Sequence, residues 1–392
     1  MLKIRHIVLL VTFLESVGTA LLQRGLYFYT HEKLGFSEMA NLSTALGYGV
    51  VYILGALLSH TASSRLGEKR LLYVTLVGLF VLHVGLSAQP AALVLAVGFA
   101  AVAFLQGLKW PVFESYVSAG LTPSELLPAV GRYNVTWALA MPFAVGISGP
   151  LISSAWPSLL FLIPALINAL ALILFRPLPD KPAHLDHAHP ERPSQSETDR
   201  YQSLLVSARW SMLCSYGLWF LLTPLMPEIF GRLGLAIERA TLAASLLDGT
   251  RLLMFVALGA AGAAWRGRAL PLGIVIAVLP ASFLMVLFGT TLPVVLAGEA
   301  LLGAAAGFAY TAALYYALVV KNASVDAGGA HESLIGLGLG MGPLAGIAGH
   351  VLAGQTLPGL SSALGYVESM LCAVSPLLVL CALGAVWPIR RG

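Results

Sequence analysis

Long apolar stretches recur along this chain, and its basic residues alternate between the gaps that separate them. Sixteen of the twenty-two Lys and Arg residues fall in every second gap, at its edges, or at the two ends. Lys33, Arg232 and Arg239 sit in the intervening gaps, and Arg24, Lys109 and Arg251 inside the stretches. A chain threaded repeatedly through a bilayer has this pattern, because short loops rich in Lys and Arg stay on the cytoplasmic side. The alternation predicts class and orientation together: a multi-pass protein of the plasma membrane, a bacterial inner membrane in the simplest case, with both termini cytoplasmic.

Composition agrees. Of 392 residues, 58% are hydrophobic and 10% charged, against about 25% charged in soluble domains. The net charge of +4 resides in loops and gives no reason to expect nucleic-acid binding. Cys214, Cys372 and Cys381 lie within apolar segments, where they offer neither a disulfide framework nor a metal-ligand spacing. The first apolar run contains Glu15, exceeds a signal peptide in length and lacks a small-residue cleavage site, so it reads as a retained span. No phosphate loop or nucleophile–base constellation occurs, which argues against an enzyme, a cofactor or an ATP-driven pump.

A spanning helix needs about 20 mostly apolar residues. Twelve segments qualify: 4–28, 39–62, 71–88, 92–119, 132–155, 158–175, 206–228, 240–264, 270–288, 293–320, 333–354 and 364–388. Between them, 176–205 is rich in Pro, His and charge and lacks apolar periodicity, so it is expected to be a flexible cytoplasmic linker. His184, His187 and His189 within it invite a metal site, but a flexible segment fixes no coordination geometry, and no metal is expected. The linker divides the chain into six-span bundles, 1–175 and 206–392. An offset of 200 aligns 98–116 with 298–316, matching Gly98, Ala100, Gly107 and Tyr116 to their partners. Repeated halves with a site at the midplane between them are a recurrent transporter design.

Three motifs carry a family resemblance. Arg65-Leu66-Gly67-Glu68-Lys69-Arg70, between spans 2 and 3, resembles the end of the conserved loop motif of the major facilitator superfamily, with Ser64 where that family has Asp. Leu105-Gln106-Gly107 is similar to its fourth-helix motif, with Ala103 in place of the expected Arg and a cation at Lys109 instead. Gly146-Ile147-Ser148-Gly149-Pro150-Leu151 resembles the Gly-Pro motif of proton-coupled exporters, echoed by Gly340-Met341-Gly342-Pro343-Leu344 in span 11. The resemblance implies the major facilitator fold: an all-α membrane protein of twelve helices in two pseudo-symmetric bundles, acting as a monomer.

An ionisable side chain near the bilayer centre costs roughly 2.5–3.5 kcal/mol on insertion scales, so each must face a partner, a cavity or water. Glu15 lies halfway along span 1 and Lys109 a little to the cytoplasmic side in span 4, with Glu114 closer to that surface. Asp248 and Arg251, three apart on one face of span 8, are an internal ion pair or a site where a substrate carboxylate displaces Asp248. The segment Gly107-Leu108-Lys109-Trp110-Pro111 is expected to break its helix at the proline. A Lys there is similar to the fourth-helix Lys of proton-dependent oligopeptide transporters, which works with a Glu and an Arg on the first helix; here these would be Glu15 and Arg24. A structural Lys109–Glu15 bridge is the alternative. Arg24, near Tyr27 and Tyr29, is a ligand or an interfacial anchor. Glu15 and Glu299 are candidate proton carriers, and Tyr48, Tyr52, Trp219 and Tyr310 candidate cavity walls.

These residues predict a secondary transporter moving a small organic solute by alternating access with proton coupling. Lys109 and Arg251 suggest an anionic or zwitterionic cargo. The Gly-Pro segment supports a second reading, proton-driven export of drugs or lipophilic metabolites; a non-transporting sensor or scaffold is the rival of another class.

Overall fold

The structure, a computed structural model, describes residues 2–88, 91–118, 121, 123–182, 195–262, 264–320, 325–354 and 365–389. Among these, eleven helical segments are long and apolar enough to cross a membrane, and the shorter apolar helix Leu159–Leu174 makes a twelfth. Helices suit lipid because each satisfies its own backbone hydrogen bonds. Leu57, Leu93, Leu166 and Leu253, each more than half exposed, lie on the outside of the bundle, where the surrounding medium must be hydrocarbon.

The first span is jointed: α1 (Leu2–Gln23) and α2 (Gly25–Leu34) meet at Arg24. There follow α3 (Glu38–Leu66), α4 (Glu68–Ser87), α5 (Ala92–Ser118), α6 (Pro123–Ser153) and α7 (Leu159–Leu174). The second set opens with another jointed span, α8 (Gln195–Leu222) and α9 (Met226–Arg232), separated by a 3₁₀ turn at Thr223–Leu225. It continues as α10 (Ile237–Ala260), α11 (Leu270–Phe288), α12 (Leu292–Val320), α13 (Val325–Leu352) and α14 (Tyr366–Ile389). Glu38 and Ile237, Ala92 and Leu292, and Pro123 and Val325 open corresponding helices, each pair about 200 residues apart. The offset found in 98–116 thus extends to the order of the elements.

Several features differ from expectation, among them the fifth span, which begins at Pro123 rather than 132. The first span continues to Leu34, and the eleventh begins at Val325 rather than 333. The expected linker 176–205 is shorter, because 195–205 are already helical as the start of α8. Leu204 and Leu205 are buried there, and Tyr201 packs on Tyr316 with ring centroids 5.3 Å apart. His184, His187 and His189 lie outside the described residues. Finally, α5 runs unbroken through Pro111. Close packing holds it straight: Ser59 of α3 donates to the Leu108 carbonyl at 2.8 Å, next to the carbonyl that Pro111 leaves without its usual donor.

The two sets meet along α3–α13 and α6–α10. A side chain at Gly49 would collide with the backbone of Leu339 and Gly340, and one at Gly149 with the backbone of Ile237, so both contacts need glycine. Gly149 of the Gly-Pro segment also donates its N–H to Thr241 Oγ1 at 3.1 Å. The two sets are also tied together at the end bearing Phe36. There Asn41 Nδ2 donates to the carbonyls of Tyr27 (3.3 Å) and Pro224 (3.4 Å), joining α3 to both jointed spans. His350 Nε2 lies 2.6 Å from Glu38 Oε2, and the Tyr366 hydroxyl donates to the same oxygen at 3.4 Å. At the other end, Lys69 of the loop motif donates to the carbonyls of Leu178 (2.6 Å) and Arg176 (3.1 Å), fastening α4 to the segment after α7.

Candidate functional site

Between the two sets, toward the middle of the bundle, lies a hollow lined by helices of both. Its wall is mainly aromatic. Tyr48 and Tyr52 come from α3, Trp110 from α5, Tyr133 and Trp137 from α6, Tyr216, Trp219 and Phe220 from α8, and Tyr310 from α12. Trp219 and Phe220 stack in parallel, 5.2 Å apart and 8° from coplanar. Three groups bring charge to this wall: Arg251, Glu114 and Glu332.

Arg251 enters the hollow between two indoles, its guanidinium carbon 4.2 Å from the Trp219 centroid and 4.7 Å from that of Trp137. Rings so placed offer their negative faces to the cation. Its Nη2 donates to Asp248 Oδ1 at 2.8 Å. The other oxygen of Asp248 accepts from Arg24 Nη1 at 2.7 Å, across the boundary between the two sets. One carboxylate therefore serves two guanidiniums, all three groups nearly inaccessible to solvent. Arg24 reaches it because the joint between α1 and α2 falls at that residue. Buried this way, Arg24 is not an interfacial anchor.

Glu114 of α5 and Glu332 of α13 face each other across the same boundary, joined by a side-chain hydrogen bond. The Tyr52 hydroxyl donates to Glu332 Oε2 at 2.7 Å, adding α3 to the contact. Two carboxyls hydrogen-bond to each other only when one carries a proton, since an ionised carboxylate has no donor. The hollow thus has a guanidinium on one side and a carboxyl pair on another.

Lys109 lies elsewhere. It has no exposed surface, and its Nζ is 2.6 Å from Glu15 Oε2. Asn168 Nδ2 of α7 lies 3.0 Å from each oxygen of Glu15, and His83 Nδ1 of α4 is 2.8 Å from Asn168 Oδ1. Lys109 is thus knotted into a polar chain within the first set, over the Trp110 ring at 4.6 Å, and does not line the hollow. The alternative of a Lys109–Glu15 bridge is the geometry observed. Glu299 is likewise off the wall, fully buried in α12.

Of the residues singled out from the sequence, Tyr48, Tyr52, Trp219, Tyr310, Arg251 and Glu114 converge on the hollow, whereas Lys109, Glu15, Arg24, Asp248 and Glu299 stand behind it. Sequence reasoning missed Glu332, one residue before the expected start of its span. It also passed over Tyr133, Trp137 and Tyr216. The available signal for Glu332 was a His-Glu pair opening an apolar run, a spot as consistent with a solvated helix end. Among the described residues, no three His, Cys, Asp or Glu side chains are grouped to hold a metal ion.

The model of the Major Facilitator Superfamily matches residues 8–350. None of the curated proteins matches the chain in sequence. Solved structures similar to it include a bacterial homologue of the human lysosomal transporter Spinster, inward-facing and unoccupied. That one is 16% identical with a TM-score of 0.68, covering 98% of this chain and 95% of its own. The nucleoside transporter NupG is 14% identical with a TM-score of 0.65, covering 98% of each chain. A D-xylose–proton symporter is 14% identical with a TM-score of 0.68, covering 98% of this chain and 97% of its own.

Proposed function

The chain belongs to the major facilitator superfamily of membrane transporters, and from that premise we propose that it is a proton-coupled carrier of a small zwitterionic organic solute. The observation that carries this reading is the pairing of charges on the wall of one hollow: the Arg251 guanidinium on one side, the Glu114–Glu332 carboxyls on another, aromatic rings between. A carboxylate of the solute would take the guanidinium and an ammonium the carboxyl pair. The rings would hold the apolar part and screen both ends from water. Lys109, buried on Glu15, drops out of the solute's site, which narrows the preferred cargo from anionic or zwitterionic to zwitterionic. With termini in the cytoplasm, the Phe36 end would face outward, and the contacts of Asn41, Gly149 and Glu38 would hold the two sets together there. Bundles 1–175 and 206–392 would rock about the α3–α13 and α6–α10 contacts to open it.

The test is a thermal-shift screen of the purified protein against amino acids, dipeptides and betaines, alongside simple carboxylates and amines. Binding to the folded state raises its stability. Zwitterions should stabilise most, the effect should vanish in Arg251→Ala, and accumulation in proteoliposomes should need a pH gradient. Simple carboxylates stabilising as strongly as zwitterions, in both the parent and Glu114→Gln, would refute the assignment. The aromatic wall also suits a lipophilic cargo. Export would be the better reading if overexpression raised resistance to toxic apolar compounds while zwitterions left the protein unshifted.

A further inference from the structure

Glu299 stands two turns into α12 with no exposed surface, and neither of its carboxyl oxygens has a hydrogen-bond partner among the described residues. An ionised carboxylate there would lose its hydration and gain no donor in return, a position that a neutral acid tolerates far better. The charges whose fields reach it are Arg24, from the joint of the first span, and Asp248, from α10. Arg24 spends Nη1 on Asp248 and leaves Nη2 without a partner; Arg251 holds the other oxygen of Asp248 and leaves Nε without one. From α8, Tyr216 hydrogen-bonds Arg251, and Trp219 carries an unpartnered Nε1. Of the other neighbours, α11 has no titratable residue, and α13 brings His331 and Glu332 against α12 at Tyr310, three turns further along. Two buried cations thus share one anion, beside an acid group and vacant N–H donors.

We infer that Glu299 is a proton-binding site whose ionisation draws Arg24 from Asp248 to itself. The O–H bond of the acid breaks, the proton leaves to water, and the new carboxylate accepts from the free Nη2 of Arg24. Asp248 keeps Arg251. The cluster passes from one surplus positive charge to none. In the protonated state that surplus is available to an anion arriving from the hollow, whose wall Arg251 alone of the three lines. A proton on Glu299 and a carboxylate on Arg251 therefore favour one another, and the favour is reciprocal by linkage. That is the logic of symport. Identifying this proton as the coupling ion rests on the carrier reading; the proton site itself does not.

The experiment is a pH titration of the purified full-length protein, without solute, followed by infrared difference spectroscopy of the carboxylic-acid carbonyl band. Beside the bands of its other carboxyls, the Glu114–Glu332 pair among them, the parent should show one component in acid that is lost in alkali, and Glu299→Gln should lack that component, the band followed here, at every pH. At a fixed pH the band should be weaker in Asp248→Asn, because Arg24, released from Asp248, pairs with ionised Glu299. A structural role for Glu299 alone would not move the band in that second variant. Persistence of the band in Glu299→Gln, or unchanged intensity in Asp248→Asn at all pH values, overturns the inference. Should Glu299→Gln fail to fold, Glu299→Asp should displace the band in frequency, and no displacement overturns it equally. Failure of the parent to accumulate solute under a pH gradient bears on the carrier reading, and the infrared titration stands apart from it.

Discussion

Replacing Lys109 by Met tests whether this lysine is a structural strut or a hand extended to the cargo. The side chain is similar in length, so the main loss is the charge. Lys109 and Glu15 are 0% and 1% exposed and 2.6 Å apart. Removing one member of such a pair leaves an uncompensated buried charge and destabilises by about 3–5 kcal/mol. The Lys109 cation also lies 4.6 Å from the Trp110 ring and 5.7 Å from that of Phe113, adding up to about 2 kcal/mol when desolvated. Against this, Asn168 still donates to Glu15, so the net loss should fall near about 3–5 kcal/mol. Lys109→Met combined with Glu15→Leu removes both charges and should recover most of that stability, since apolar replacement of a buried pair is often neutral or favourable. The assay is a double-mutant cycle by reversible unfolding in mixed micelles, with thermal-shift binding of the best zwitterion as second readout. Strictly additive single effects would refute the pairing. Full stability of Lys109→Met together with lost solute binding would return Lys109 to the hollow.

Other consequences are simpler to check. Gly149→Val forces α6 away from the Ile237 backbone and should part the two sets at the Phe36 end, raising maleimide labelling of a Leu42→Cys reporter by at least roughly tenfold, or about 1.4 kcal/mol of opening. Lys69→Met removes the donor to two carbonyls beyond α7 and should lower thermal stability by about 1–2 kcal/mol. Asp180→Ala should cost under about 1 kcal/mol, because its 3.4 Å contact with Lys69 involves a side chain 92% exposed. Tyr52→Phe deletes only the donor to Glu332 and should cost about 1–3 kcal/mol, measured as the unfolding midpoint, with the aromatic wall intact.

The scaffold was largely legible because bilayer thickness imposes one simple rule on sequence. Apolar length gave the twelve spans, and the Lys and Arg of the gaps gave a predicted orientation. Edges failed where helices outrun the apolar window: Leu34 and Val325 extend their spans through polar residues that the window discounts. Residues 195–205 failed for a related reason, since a polar helix packed through Leu204, Leu205 and Tyr201 has little apolar signature. The charged groups were found individually, because an ionisable residue inside lipid is conspicuous. Their partners were mostly not. Asp248–Arg251 is local, three residues apart, and could be read directly. Arg24–Asp248 and Tyr52–Glu332 join residues 224 and 280 positions apart, and no periodicity within one helix reports such a pairing. The two readings of Lys109 could not be separated because depth in the membrane can be counted from sequence, whereas the azimuth of a side chain toward the cavity or toward its own bundle cannot.

The Arg24–Asp248 bridge also bears on biosynthesis. At about 5–20 residues per second, a ribosome reaches Asp248 some 10–45 s after Arg24. Throughout that interval the nascent first half carries a guanidinium into the bilayer with its counter-ion not yet made. Sheltering it falls to the insertion machinery, to lipid phosphates or to a detour toward the headgroups. Completion of the tenth helix, rather than emergence of the sixth span, is then the moment at which the amino-terminal hairpins can settle into their final depth.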